Sequence, residues 1–257
     1  MWRQLESILL WTGDLAIFAG RILRDAFRAP REPAEIARQV FEFGWRSLPL
    51  IAAAGFAVGA VMSMHTRSSL ERFGAEAMIP AGLALALFKE TGPLVTGLLF
   101  AGRVGAGIGA ELGAMRVTEQ IDALETLAVD SFKYLVTTRV AACVLVMPLL
   151  TTIMNFAGIV GGYLAETAVS GMSFTLYWER AWSIVDFTDY LPATLKTCVF
   201  GFIIGSVSSY LGYNATGGTA GVGQASTRSV VISSILLIVT NVVLVKAIFF
   251  LFPSAQG

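Results

Sequence analysis

Lys89 and Glu90 stand side by side inside a long apolar run, residues 77–102. A carboxylate near the middle of a membrane helix costs roughly 2.5–3.5 kcal/mol on insertion scales, so it faces a cavity or a partner rather than lipid. Adjacent residues of an α-helix point about 100° apart, so the two are not expected to face one cavity squarely. The bland alternative is a structural ion pair between helices. Ser63, Ser68 and Ser69 lie near His65, which raises nucleophilic catalysis. That chemistry needs a base set against the serine and a site for the oxyanion. Neither is visible among the neighbours, and polar residues at a helix end are the simpler explanation. The single histidine builds no metal cluster, and Cys143 and Cys198, both in apolar runs, read as small buried hydrophobes. The run Gly105-Ala-Gly107-Ile-Gly109-Ala110 fits a relaxed dinucleotide fingerprint. The fingerprint carries meaning only between a strand and a helix, and here it ends an apolar span. No phosphate-loop pattern GxxxxGK[ST] occurs, so nucleotide hydrolysis, if coupled to this chain, belongs to another polypeptide. The expectation is a chain with no catalytic machinery of its own.

The elements that hold these residues are set by composition. The chain of 257 residues is 55% hydrophobic and 14% charged, with mean hydropathy +0.70. Soluble domains carry roughly 25% charged residues. Eighteen basic and eighteen acidic side chains cancel, which excludes a broad basic face for nucleic acid. A span needs about 20 mostly apolar residues, and five runs qualify, near 47–66, 77–102, 139–165, 191–212 and 229–252. The fold class is therefore an all-α integral membrane protein.

Residues 1–29 follow another pattern. Trp2, Leu5, Leu9, Leu15, Ala19, Ile22 and Ala26 recur at helical spacing, with Asp14, Arg21, Asp25 and Arg28 on a second face. This predicts an interfacial amphipathic helix, ended by Pro30 and Pro33, ahead of a membrane domain over 30–257. The opening MWRQLESILLWTGDL lacks a compact basic region before an apolar core, so it does not read as a cleavable signal. Basic residues fall twelve to three on the side that holds the N-terminus. This places the N-terminus in the cytoplasm and, after five spans, the C-terminus outside. Lys196 and Lys246 lie near span ends and are expected to snorkel. Glycines at four-residue spacing, Gly55/Gly59, Gly105/Gly109/Gly113, Gly158/Gly162 and Gly201/Gly205, predict close helix crossings, mostly within one subunit. Pro148 and Asn155 fall inside span three, predicting a kink and a buried partner for the asparagine.

Between spans two and three, Glu119, Gln120, Asp122 and Glu125 alternate with Ile121, Leu124, Leu127 and Ala128. A short amphipathic helix is expected there, laying its apolar stripe on the membrane domain, on lipid or on a soluble partner. Its acidity disfavours an anionic lipid surface.

The run KETGP, then LLFAGRVGAGIGAELGAMRVTEQIDAL, then AVD resembles the signature block of MlaE/YrbE-type permeases, the membrane subunits of lipid-moving ABC systems. The later NATGGTAGVGQASTRSVV, residues 214–231, resembles that family's last cytoplasmic loop. The resemblance implies a homodimeric phospholipid permease of the bacterial inner membrane. It also implies two cytoplasmic ATPase copies that bind the ATP and Mg, an MCE-domain protein, and in many members a STAS-domain regulator. Residues 111–125 would be the coupling helix, with Glu111, Arg116, Glu119, Gln120 and Asp122 meeting the ATPase. Glu90 and Lys89 would line the lipid cavity, and Met62, Leu70 and Phe73 would fall where apolar lipid contacts sit, although HTRSSLER is more polar than the family pattern. Arg67 and Arg72 read as outer-surface charges. Competing expectations are an ion-coupled transporter using Glu90, an intramembrane hydrolase using Ser63 and His65, and a membrane anchor for a cytoplasmic enzyme.

Overall fold

The computed structural model describes residues 2–27 and 32–251, and the expectations placed on Arg28, Pro30 and Arg31 lie outside them. Among the described residues all regular structure is helical. Five helical stretches are long and apolar enough to cross a membrane: Pro33–Phe73, Glu76–Val117, Phe132–Ser170, Phe187–Tyr213 and Gly218–Ile248. Each contains the core of one run expected from hydropathy. A helix satisfies its own backbone in hydrocarbon, which is why such runs adopt no other form.

The helices are α1 (Trp2–Ala26), α2 (Pro33–Leu70), α3 (Ile79–Ala86), α4 (Gly92–Phe100), α5 (Ala106–Val117), α6 (Gln120–Thr126), α7 (Thr138–Ser170), α8 (Phe174–Trp182), α9 (Phe187–Tyr213) and α10 (Gly218–Leu251). Wider π-turns join α3 to α4 at Leu87–Thr91 and α4 to α5 at Ala101–Gly105, and another, Phe132–Thr137, leads into α7. Pro33 occupies the first position of α2, where a missing N–H costs nothing; it opens a helix rather than closing one.

The chain forms two compact units. The first comprises Met1–Phe43, Phe100–Val146 and Phe200–Leu237. Its core sets Ile22 of α1 against Phe132, Val136 and Val140, with Phe18, Phe202 and Tyr213 packed around them. Phe18 meets the Phe132 ring edge-on at 4.9 Å, and the Arg21 guanidinium lies 3.9 Å from the Phe132 ring centre. The apolar stripe expected to dip into lipid is therefore divided. Of its members Ile22 is covered by protein while Leu9 is exposed; Leu10, Ile17 and Leu23, outside that stripe, are exposed as well. Asp25, assigned to the polar face, is buried and pairs with Arg21 and Arg24. Gly109 lies against Ala225 and Ser229, and Gly201 against Cys143, so these glycines serve packing within the subunit. Cys143 is fully buried, as a small hydrophobe should be.

The second unit comprises Gly44–Leu99, Met147–Val199 and Ile238–Gly257. Leu83, Leu87, Phe88, Ile159 and Tyr177 form its core, with α8 packed on α3. Ser173 caps α8 by accepting from the Leu176 N–H at 3.5 Å. Helix α2 crosses α7 where Gly55 and Gly59 meet Met154 and Gly158. Near this crossing Arg67, expected as an ordinary surface charge, donates to Glu166, whose side chain is 1% exposed. Pro148 is accommodated within a continuous α7. Asn155 is fully buried against Gly92, yet its side-chain amide has no hydrogen-bond partner among the described residues, contrary to the expectation of one.

Candidate functional site: an amphiphilic cavity and an acidic knob

The π-turn Leu87–Thr91 sits in the middle of the second span, directly before Gly92-Pro93. A π-turn spreads successive side chains over a wider helix, and such turns are frequent at functional sites. Here it places Lys89 and Glu90 on the same cavity, of about 230 Å³, together with Thr188, Asp189, Ala193, Lys196, Val245 and Ile248. Lys89 and Glu90, not expected to face one cavity squarely in regular α geometry, both line this one where the helix widens into a π-turn.

Each charge in the cavity is answered within the second unit. Lys196 Nζ donates to Glu90 Oε2 at 2.8 Å and to the main-chain oxygen of Lys89 at 2.8 Å. Lys89 Nζ lies 2.9 Å from Asp189 Oδ1. Asn241 Nδ2 donates to the other Glu90 oxygen. The four charged heads sum to zero, and Ala193, Val245 and Ile248 supply an apolar wall beside them. Glu90 is thus both a member of an ion pair and a residue of the cavity wall. The Lys196 side chain is 1% exposed whereas that of Glu90 is 44% exposed. Lys196 therefore does not snorkel; it is the buried anchor, and Glu90 presents a carboxylate to the opening.

Three residues of this site were not singled out by sequence reasoning. Lys196 was expected near a span end, and neither Asp189 nor Asn241 was proposed for a site. For Lys196 and Asn241 the available signal was a polar side chain within an apolar run, which is costly and wants a cavity or a partner; Asp189 lies just before the 191–212 run and carried no such signal. Met62, Leu70 and Phe73 do not line the cavity. Met62 packs against the Leu83 and Phe88 core, Leu70 is half-buried, and Phe73 is 83% exposed. The Ser68 and Ser69 hydroxyls donate to the main-chain oxygen of His65, so they bond helix backbone rather than an imidazole.

In the first unit, residues 111–125 are two pieces rather than one helix. Glu111 and Arg116 belong to the end of α5; the chain then turns at Thr118-Glu119, and Gln120 begins α6. Glu119 holds φ 59°, a left-handed conformation that costs a non-glycine residue roughly 1–2 kcal/mol. The turn is held by Arg116 donating to Asp122 at 2.6 Å. Ile121 is fully buried beneath α6, and Glu125 accepts from Ser131 at 2.7 Å and from Tyr213 at 3.3 Å. Glu111 pairs with buried Arg139 at 2.7 Å while leaving about half of its own side chain exposed. The result is a fixed knob presenting Glu119, Gln120, Asp122 and Leu127 outward.

The family described as Permease MlaE matches residues 36–247. A probable ABC transporter permease protein of Rickettsia felis is 39% identical over 237 residues, covering 92% of each chain. The intermembrane phospholipid transport system permease protein MlaE of Haemophilus influenzae is 32% identical over 83% of this chain and 82% of its own. The chloroplastic protein Trigalactosyldiacylglycerol 1 of Arabidopsis thaliana is 32% identical over 93% of this chain and 68% of its own. A five-span helical chain with a charged, apolar-walled cavity lined from its second, fourth and fifth spans, matched along most of its length by these proteins, belongs to the MlaE family of ABC transporter permeases.

Proposed function

We propose that the chain is the membrane subunit of an ABC system that moves phospholipids between the bacterial inner membrane and an MCE-protein channel leading toward the outer membrane. In that role it maintains the lipid asymmetry of the outer membrane. The observation that carries this is the amphiphilic cavity: paired charges at Lys89, Glu90, Asp189 and Lys196 beside an apolar wall suit a polar head joined to a hydrocarbon chain. The printed name of the Haemophilus relative, a phospholipid transport permease, supports the same substrate class.

The cavity is smaller than a whole phospholipid, so a second copy of the chain completes the enclosure in this scheme. Met62, Leu70 and Phe73 are assigned only as apolar contacts of acyl chains extending beyond it. The N-terminus is cytoplasmic and the C-terminus periplasmic, following the basic-residue asymmetry. Helix α1 lies at the cytoplasmic surface with Leu9 of its apolar stripe toward lipid. A separate ATPase binds ATP and Mg and drives the cycle. The permease contributes differential lipid affinity between two conformations, and the ATPase supplies the bias.

The knob formed by Glu111, Arg116, Glu119, Gln120 and Asp122 is the ATPase-docking element of this scheme. Glu119→Lys tests it, because it reverses a charge while leaving the cost of the left-handed backbone unchanged. The variant is expected to insert normally but to lose its ATPase on copurification. Unchanged copurification removes the assignment.

A further inference from the structure

The first unit holds two neighbouring cavities that the transport scheme does not use. One, of about 230 Å³, lies between α1 and the 214–231 segment and is lined by Trp11, Tyr210, Asn214, Thr216, Gln224 and Arg228 among others. Gly221, Gln224 and Arg228 recur at helical spacing on one face of α10. No carboxylate lines this cavity, and Arg228 makes no ion pair or hydrogen bond among the described residues. The second cavity, of about 320 Å³, shares Tyr210 and Asn214 with the first and adds Asp14, Phe18, Arg21 and Tyr213. Arg21 is already engaged, 3.6 Å from Asp25 and over the Phe132 ring. Among the described residues Asp14 makes no ion pair or hydrogen bond, and its carboxylate bears electrostatically on the Tyr210 hydroxyl at the shared wall. Two open chambers with a common wall thus offer one uncommitted guanidinium and one uncommitted carboxylate.

We propose that these paired cavities bind a zwitterionic phosphate–ammonium headgroup of the phosphoethanolamine class, with phosphate at Arg228 and ammonium at Asp14. Guanidinium recognises phosphate oxygens through charge-assisted hydrogen bonds. Tyr210, Thr216, Asn214 and Gln224 supply further hydroxyl and amide groups around it. Trp11 and Tyr210, whose ring centres are 6.1 Å apart, are the residue types that settle at headgroup depth. A free phosphoethanolamine satisfies the same chemistry as a lipid-borne one. The lipid source rests on the placement of α1 at the membrane surface given above.

The test uses the full chain in phosphatidylcholine nanodiscs containing phosphatidylethanolamine with a diazirine at the top of one acyl chain. A matching phosphatidylglycerol probe serves as comparison. Labelling of peptides containing Trp11 or Tyr210 is expected to favour the ethanolamine probe. Arg228→Gln should reduce that labelling about tenfold, the loss of one charge-assisted contact, while Arg228→Lys retains most of it. Asp14→Asn should erase the preference over phosphatidylglycerol. Competition by soluble phosphoethanolamine supports a headgroup that suffices alone, and labelling that resists competition supports the lipid-borne ligand. Absent labelling here, or labelling equal in the native chain and Arg228→Gln, overturns the proposal. Labelling near Val245 and Ile248 reports the Glu90 cavity separately, so the two assignments fail independently.

Discussion

Replacing Glu90 by alanine is expected to destabilise the chain by about 3–5 kcal/mol, the usual cost of removing one partner from a buried ion pair. The size of the effect follows from Lys196 rather than from Glu90. The Lys196 ammonium is enclosed, and its bonds run to the Glu90 carboxylate and one main-chain oxygen. Without the carboxylate it stays as an uncompensated charge, which is costly inside an apolar fold. Lys196→Met removes the buried charge together with its desolvation and leaves Glu90, already 44% exposed, hydrated at the opening. It should therefore be the milder change. Combining Glu90→Gln with Lys196→Met should recover much of the native stability, as replacing both members of a buried pair often does. All of these variants should lose bound lipid. Thermal unfolding in detergent, read beside lipid retained on purification, tests the ranking. Glu90→Gln alone should change lipid occupancy more than the yield of dimer; the reverse would mark a purely structural pair.

Gly59→Leu is expected to abolish recovery of folded protein. A Cβ at Gly59 would overlap the main chain of Gly158, and one at Gly55 would crowd the main-chain oxygen of Met154. No flexible side chain is available to move aside, so the α2–α7 crossing must open along its length. In lipid, close backbone approach is a main source of helix association, because there is little hydrophobic drive to replace it. Gly82→Ala provides the contrast, since a Cβ there meets nothing within 4 Å. That change should be neutral or stabilising by up to about 1 kcal/mol through helix propensity. Yield after extraction and the melting temperature of each variant separate the outcomes. A Gly59→Leu protein that melts like the native chain would contradict the described crossing.

The five spans were legible because a membrane helix is specified by length and apolarity, and these runs offer both. The intramolecular role of Gly55, Gly59 and Gly201 was legible for a related reason, since small residues one turn apart have few other uses in lipid. The cavity was half legible. Glu90 declares itself by its cost in an apolar run, but the π-turn at 87–91 has no sequence signature that marks where the helix widens. Regular geometry therefore separated Lys89 from Glu90 when the fold unites them. Lys196 was assigned to a span end because position along a run says nothing about which way a side chain points. The break at Glu119 was hidden for another reason. Left-handed turns usually advertise themselves with glycine or asparagine, and here a glutamate takes the position. Helix α1 showed its amphipathic period, yet the period could not tell that Ile22 meets Phe132 while Ile17 and Leu23 stay uncovered.

The central claim is that this permease moves lipid under power from a separate nucleotide-hydrolysing subunit. Its most direct test is lipid transfer out of proteoliposomes holding the permease with its copurifying ATPase. Transfer is expected to require ATP and to survive collapse of the proton gradient. Transfer that continues without ATP and stops when the gradient is dissipated would contradict the account, and would make Glu90 the coupling carboxylate of an ion-driven transporter.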